Sequence, residues 1–283
     1  MNVDLRHLRA LVAIGEEGTI TGAAAALHIS QPALSRTLEQ LESRLGTTLV
    51  ERTTRRLHLT PAGLRLREHA HRILNQLDDA LTEAAAGSRP LRIGFAWAAL
   101  GEHTVRLLRD WRRDHPATPL RVHRGEDPAA ALRRGELDAA FVRVRPDDPG
   151  TASVALYQEP RIAALCADDP LADRDAVTLA ELAARPVVLC STAATTDALW
   201  PAGPPAALEV ANVDEWLTAI ATGEAVGVTA DATRHSHPHP GVVYRPLADA
   251  GPVTVHLAWP RTGAHPAVAA FRDHARRTLA ARP

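Results

Sequence analysis

Lysine is absent: all 32 basic side chains of the 283-residue chain are arginine. That excludes Schiff-base catalysis, lysine-anchored pyridoxal phosphate and the lysine of a phosphate-binding loop. Cysteine is nearly absent too. Cys166 and Cys190 alone cannot build a disulfide framework in a chain this long and suit a reducing compartment. Both sit in apolar, strand-like runs, where a thiol serves as a small core hydrophobe. No apolar run approaches the roughly 18 residues of a membrane-spanning helix. The N-terminal "MNVDLRHLRALVAIGEEG" carries charges through any would-be signal core. These absences predict a soluble, cytoplasmic protein with no membrane partner. Charge of one sign is also missing, because 32 basic groups face 33 acidic ones, so any basic surface for a polyanion must be local. Neither G-x-S-x-G nor G-x-G-x-x-G occurs, which removes the usual nucleophile elbow and dinucleotide fingerprint.

The length implies two or three folding units of roughly 100 to 200 residues each. Leu5, Leu8, Leu11 and Val12 recur at helical spacing until Glu16, Glu17 and Gly18 interrupt the pattern. Thr19 or Thr21 can cap a second helix running through Ala23, Ala24, Ala26 and Leu27, and His28, Ile29 and Ser30 break it. Ser30 is placed as an N-cap, with Pro32 in the first turn of a third helix. Along that helix Leu34, Leu38, Leu41 and Leu45 are stacked on one face. The same periodicity turns Pro32, Ser35, Arg36 and Glu39 outward, while Gln31 projects from the N-terminal end. Two helices joined by so short a break, the first lined with small alanines, form a helix-turn-helix.

After Gly46, "TTLVERTTRRLHLT" alternates as a hairpin with Arg52, Arg55 and Arg56 near its tip. From Pro61 to Ala86 only Gly63 could break a helix, and Leu66, Ala70, Ile73, Leu77, Leu81 and Ala84 keep a spacing of three or four. A rod about 39 Å long is predicted, at 1.5 Å per residue. Its apolar stripe is too narrow for a globular core and suits pairing with a second copy. Beyond the breaker "GSRP" at 87–90 the texture becomes strand and helix in alternation, beginning with "LRIGFAW" and "LDAAFVRV". Two consecutive strand-helix-strand units imply a parallel sheet, and the whole segment fits two α/β lobes.

The stretch "GAAAALHISQPALSRTLEQLESRLGTTLVERTTRRLHLTPAG" resembles the LysR-type transcriptional regulators, whose pattern AA..L..SQPA.S..I..LE..LG..LF.R....LT.AG it follows nearly throughout. "LRIGF", "GELDAAFVR", "EPRIAALCADDPLA" and "GEAVGV" extend the resemblance to that family's effector module, so it covers almost the whole chain. Val50 stands where an aromatic is usual, Thr37 where a longer polar side chain is common and Asp169 where histidine is frequent.

The resemblance implies an α/β fold overall: a winged helix-turn-helix over 1–60, a linker and dimerisation helix over 61–89, and over 90–283 a two-lobed effector module like a type II periplasmic binding protein. Lobe I is expected over about 90–160 plus 262–283, and lobe II over about 161–261. The expected partners are double-stranded operator DNA, a small-molecule effector and the chain itself, as a homodimer or homotetramer. Ser30, Gln31, Pro32, Ser35 and Arg36 would face the major groove, where glutamine suits adenine and arginine suits guanine or phosphate. Arg52, Arg55 and Arg56 would enter the adjacent minor groove.

In the family the first strand-helix turn of the module often carries hydroxyls that grip a carboxylate, but here "FAWAALGEH" supplies Ala98 and Ala99 behind Trp97. An anionic effector would therefore depend on Arg143 and on Ser191, Thr192, Thr195 and Thr196, with Trp97 as a wall. No cofactor, metal ligand or catalytic residue is expected. The run "HSHPHP", holding His235, His237 and His239, and the two cysteines keep a metal- or thiol-responsive regulator of the same architecture as an alternative, with an enzyme behind it.

Overall fold

A computed structural model describes residues 3–52, 57–87, 89–190, 199–200 and 206–279. The chain divides into two compact units, residues 1–89 with 133–136 and residues 90–132 with 137–283.

The first unit opens with α1 (Leu5–Glu17), α2 (Ile20–Ala26) and α3 (Gln31–Leu45). Leu8, Leu11 and Ile14 bury one face of α1. The helix ends at Gly18, whose φ of 63° lets its amide return to the Ile14 carbonyl. Thr19 caps α2 by accepting from the Gly22 amide at 3.1 Å. The break before α3 turns through His28 at φ 54°, and extended Ser30 then leads into the helix with Pro32 in its first turn. Leu34, Leu38 and Leu41 are buried against Ala23 and Ala24 in one cluster. Ala25 and Ala26 are exposed, so close packing across α3 rests on the first two alanines of the run rather than on all four.

Hairpin strands β1 (Val50–Arg52) and β2 (Leu57–Leu59) pair antiparallel, Val50 opposite Leu59. Glu42 ties α3 to this hairpin: its Oε1 accepts from the amides of Leu49 at 2.7 Å and Val50 at 3.1 Å. Thr60 Oγ1 caps α4 (Pro61–Ala86) by accepting from the Gly63 amide at 3.0 Å, and it donates to the Thr48 carbonyl at 2.9 Å. Ala70 is buried, whereas Ile73 and Leu81 farther along the same stripe are exposed.

In the second unit, β3 (Leu91–Phe95), α5 (His103–Asp114), β4 (Leu120–Arg124), α6 (Pro128–Arg133), β5 (Ala139–Val142) and β6 (Thr151–Glu159) come first. Next are β7 (Arg161–Cys166), a 3-10 turn (Pro170–Asp173), α7 (Leu179–Ala183), β8 (Val187–Cys190), β9 (Ala207–Val210), α8 (Val213–Ala221) and β10 (Gly227–Ala230). The unit finishes with α9 (Ala232–Ser236), β11 (Val242–Pro246), β12 (Val253–Pro260) and α10 (Val268–Leu279).

Lobe I is a five-stranded sheet in the order β4-β3-β5-β12-β6. β3 runs parallel to β4 and β5, while β12 is antiparallel to β5 and β6. Trp111 of α5 and Phe271 of α10 close its core. Lobe II repeats the pattern. β10-β7-β11 is antiparallel and β8-β9 parallel, and the two join where the Val188 amide donates to the Val226 carbonyl at 2.9 Å. Because β12 belongs to the lobe I sheet, the chain returns from lobe II between 246 and 253. The sequence-based boundary at 261 is too late: an alternating strand carries no local mark of the sheet it joins.

Candidate functional site

In the first unit Ser30, Gln31, Pro32 and Arg36 are exposed and Ser35 is half-buried; Pro32, Ser35 and Arg36 turn away from Leu34, Leu38 and Leu41, while Ser30 and Gln31 stand at the open N-terminal end of α3. The Gln31 Nε2 donates to Thr21 Oγ1 at 2.6 Å, which fixes the orientation of the amide at the helix start. Sequence reasoning gave Thr21 only a capping role, and Thr19 fills that one. Ile29, two residues before the helix, is also exposed. Arg52 lies on β1; its side chain, and Arg55 and Arg56 altogether, fall outside the described residues.

In the second unit a cavity of about 470 Å³ opens between the lobes. Lobe I supplies the turn after β3, the loop before α6 and the end of β5, and lobe II supplies Thr229, Ala230 and Thr233. Trp97 lines it from a left-handed backbone, φ 50°. Its indole Nε1 donates to Thr233 Oγ1 at 3.0 Å, and the Thr233 and Thr229 hydroxyls are 2.7 Å apart. Trp97 also stands edge-on to Trp216 of α8, with ring centroids 5.4 Å apart. Its carbonyl accepts from His237 Nε2 at 3.3 Å, which assigns the proton to that nitrogen. Burial lowers the His237 pKa below the ordinary imidazole value, against the opposing effect of this hydrogen bond. Tyr244, pushed up to about 12 by burial, donates to the His237 carbonyl at 2.8 Å.

Arg143 reaches the cavity from just past the end of β5, and it is already engaged. Its Nε donates to Glu159 Oε2 at 2.8 Å and its Nη2 to the Ala99 carbonyl at 2.9 Å. The other Glu159 oxygen accepts from the Ala232 amide of lobe II. Arg143, on which an anionic effector was expected to depend, thus has a buried carboxylate compensating its charge. Ala98 and Ala99 are buried and do not line the cavity. Their carbonyls serve instead as acceptors, the Ala98 oxygen for Ser236 Oγ at 2.8 Å. Ser191, Thr192, Thr195 and Thr196 lie outside the described residues.

The three histidines of the proline-rich run diverge. His235 faces Asp231 at 3.4 Å, His237 faces Trp97, and His239 Nδ1 accepts from the Gly241 amide at 3.1 Å. Cys190 is buried on β8, and Cys166 on β7 donates to the Ala221 carbonyl at 3.2 Å. Thr229, Thr233 and Glu159 escaped sequence reasoning. A threonine in "GVTA" reads as an ordinary strand residue, and its place on a cavity wall is set by the opposite lobe.

The family described as "Bacterial regulatory helix-turn-helix protein, lysR family" matches residues 5–64, and the "LysR substrate binding domain" matches residues 84–280. The Hca operon transcriptional activator HcaR of Escherichia coli K12 is 31% identical over 285 residues, covering 95% of this chain and 96% of that protein. A probable hydrogen peroxide-inducible genes activator of Mycobacterium avium is 39% identical over 189 residues, covering 64% of this chain; the match spans only 60% of that relative's own length. The crystal structure of CbnR, a LysR family transcriptional regulator, shares the fold with a TM-score of 0.70 at 24% identity, covering 98% of this chain and 99% of that one. With both family domains matched in order along nearly its whole length, this chain belongs to the LysR family of helix-turn-helix regulators.

Proposed function

We propose that this chain is a sequence-specific DNA-binding transcriptional regulator, working as a cytoplasmic homo-oligomer and switched by a small molecule held between the two lobes of its effector module. The carrying observation is that α3 has an anchored leucine face, an outward face with Pro32 and Arg36, and an exposed N-terminal end with Ser30 and Gln31. A helix of that design presents its first turns to base edges in the major groove while the preceding helix crosses the backbone. Arg52, Arg55 and Arg56 add contacts beside it. The exposed apolar stripe of α4, including Ile73 and Leu81, supports pairing of linker helices, which would set two recognition helices about 34 to 36 Å apart or at a multiple of that spacing.

The inter-lobe cavity supports the switching role, since a ligand shifts an equilibrium only through unequal affinity for two arrangements. Hydrogen bonds that cross the cleft, such as Trp97 to Thr233, are the contacts such a ligand would compete with or reinforce. The test is selection from randomised duplexes followed by titration of Gln31→Ala and Arg36→Ala. Each is expected to lose about 1 to 3 kcal/mol and to relax preference at its own base pair. If both variants keep wild-type affinity and preference, the assignment of the reading face is wrong.

A further inference from the structure

The charge of the cavity does not favour a carboxylate effector. Among the described residues its deep polar groups, the Arg143–Glu159 pair and the Thr229 and Thr233 hydroxyls, carry no net charge. Arg143 is neutralised by Glu159, which leaves Nη1 as the guanidinium nitrogen not engaged by Glu159 or Ala99. Of the two hydroxyl hydrogens carried by Thr229 and Thr233, one bridges the pair, and Thr233 Oγ1 already accepts from Trp97. Among the described residues no acceptor takes the second hydroxyl hydrogen, and both threonines are more than nine-tenths buried. A carboxylate placed here would satisfy these donors but would add a second anion beside one cation, away from water, with no second buried cation among the described lining residues to offset its desolvation cost. A neutral oxygen satisfies them without that cost.

At the mouth the balance is negative. Glu126, Asp127 and Asp147 line the exposed rim against Arg145, and carboxylates in a confined cleft raise the local concentration of cations. Between rim and interior lie small apolar side chains, Ala96, Val142 and Ala230 among them, and the Trp97 wall. A flat ring packs well on an indole, and an indole face also attracts a cation.

Resting on the reading that a small molecule binds between the lobes, we propose that the effector is an aromatic amine: its ring packs beside Trp97, an uncharged oxygen meets the Thr229–Thr233 hydroxyls and Arg143, and its ammonium sits among the rim carboxylates. Specificity for the amine over the acid comes from the rim, and the requirement for an oxygen comes from the threonine pair.

Three probes with one ring in common separate these contributions: tyramine, its neutral alcohol tyrosol and 4-hydroxyphenylacetate. Each is titrated calorimetrically into the full chain. Tyramine is expected to bind at least about tenfold tighter than the acid, an advantage that shrinks in about 0.5 M salt and in the Glu126→Gln, Asp147→Asn double variant. Thr233→Val should weaken tyramine and tyrosol alike, and Thr233→Ser, which keeps the hydroxyl, should restore them. Equal or tighter binding of 4-hydroxyphenylacetate overturns the charge assignment, and failure of all three probes overturns the aromatic-amine class. The underlying reading has its own measurement, a mixed fragment library screened against wild type and Thr233→Val. Fragments that bind and depend on Thr233 sustain an inter-lobe effector site whatever the three probes do; a library with none overturns it.

Discussion

Arg143 Nη2 and Glu159 Oε2 lie 2.8 Å apart, with their side chains only 13% and 4% exposed. Such a pair adds little net stability over an apolar replacement, yet breaking it strands a charge. Glu159→Gln keeps the shape and an acceptor for the Ala232 amide but leaves the guanidinium uncompensated, and it should destabilise the effector module by about 3 kcal/mol. Replacing both residues with methionine should recover most of that loss. Urea midpoints of the two variants decide the matter, and a single variant within about 0.5 kcal/mol of wild type contradicts the pairing.

A methyl group at Gly63 would sit 2.1 Å from the carbonyl oxygen of Leu49, a backbone atom fixed by the Thr60 amide, which donates to it at 2.9 Å. The first turn of α4 must shift to relieve the overlap. Gly63→Ala is therefore expected to cost the first unit about 1 to 3 kcal/mol. Gly125 offers the control, because an added Cβ there meets nothing within 4 Å. Gly125→Ala should leave the melting temperature unchanged.

Local signals account for what could be read in advance. Linker helix α4 spans Pro61–Ala86 as its spacing predicted, because periodicity, the Thr60 cap and the proline at its start act within a few residues. The leucine face of α3 and its Ser30 start are legible for the same reason. Trp97 lines the cavity because its backbone follows directly from the end of β3. Its partner Thr233 is 136 positions away, and no local pattern announces a contact that exists only once two lobes have folded and met. Arg143 shows both sides of this: the end of β5 fixes its location, whereas the carboxylate that neutralises it arrives from β6.

His237 is neutral in the cleft and its pKa is lowered, chiefly by burial and also by Arg124, against the raising influence of the Trp97 carbonyl and Asp214. The unfolded chain takes up the proton near pH 6.5, before the folded one does. In the window between the two values the unfolded state binds more protons, so stability rises with pH there and falls as pH drops from about 6.5 toward the folded value. The slope for one such proton cannot exceed about 1.4 kcal/mol per pH unit. His237→Gln can still donate to Trp97 but does not titrate. Melting temperatures of the two proteins should run parallel above about pH 7 and diverge below it, with wild type falling faster; parallel curves down to about pH 5 contradict the assignment.

Thr21 holds Gln31 through a 2.6 Å hydrogen bond from the amide nitrogen. One amide hydrogen is thereby committed to the protein, leaving the Gln31 oxygen and its second hydrogen as an acceptor and donor pair, the complement of the adenine edge in the major groove. Without Thr21 the same side chain samples more rotamers and must be ordered on binding, a loss of about 0.5 to 1.5 kcal/mol for one hydrogen bond. Thr21→Val should thus reduce discrimination at a single A·T position of the selected operator by about three- to tenfold and leave affinity for random duplex unchanged. Thr21→Ser, which keeps the hydroxyl, should restore discrimination. A uniform loss of affinity across all sequences would instead mark Thr21 as a phosphate contact, since phosphate contacts carry no base information. The salt dependence of the variant, lower by about one unit of slope in that event, tells the two roles apart.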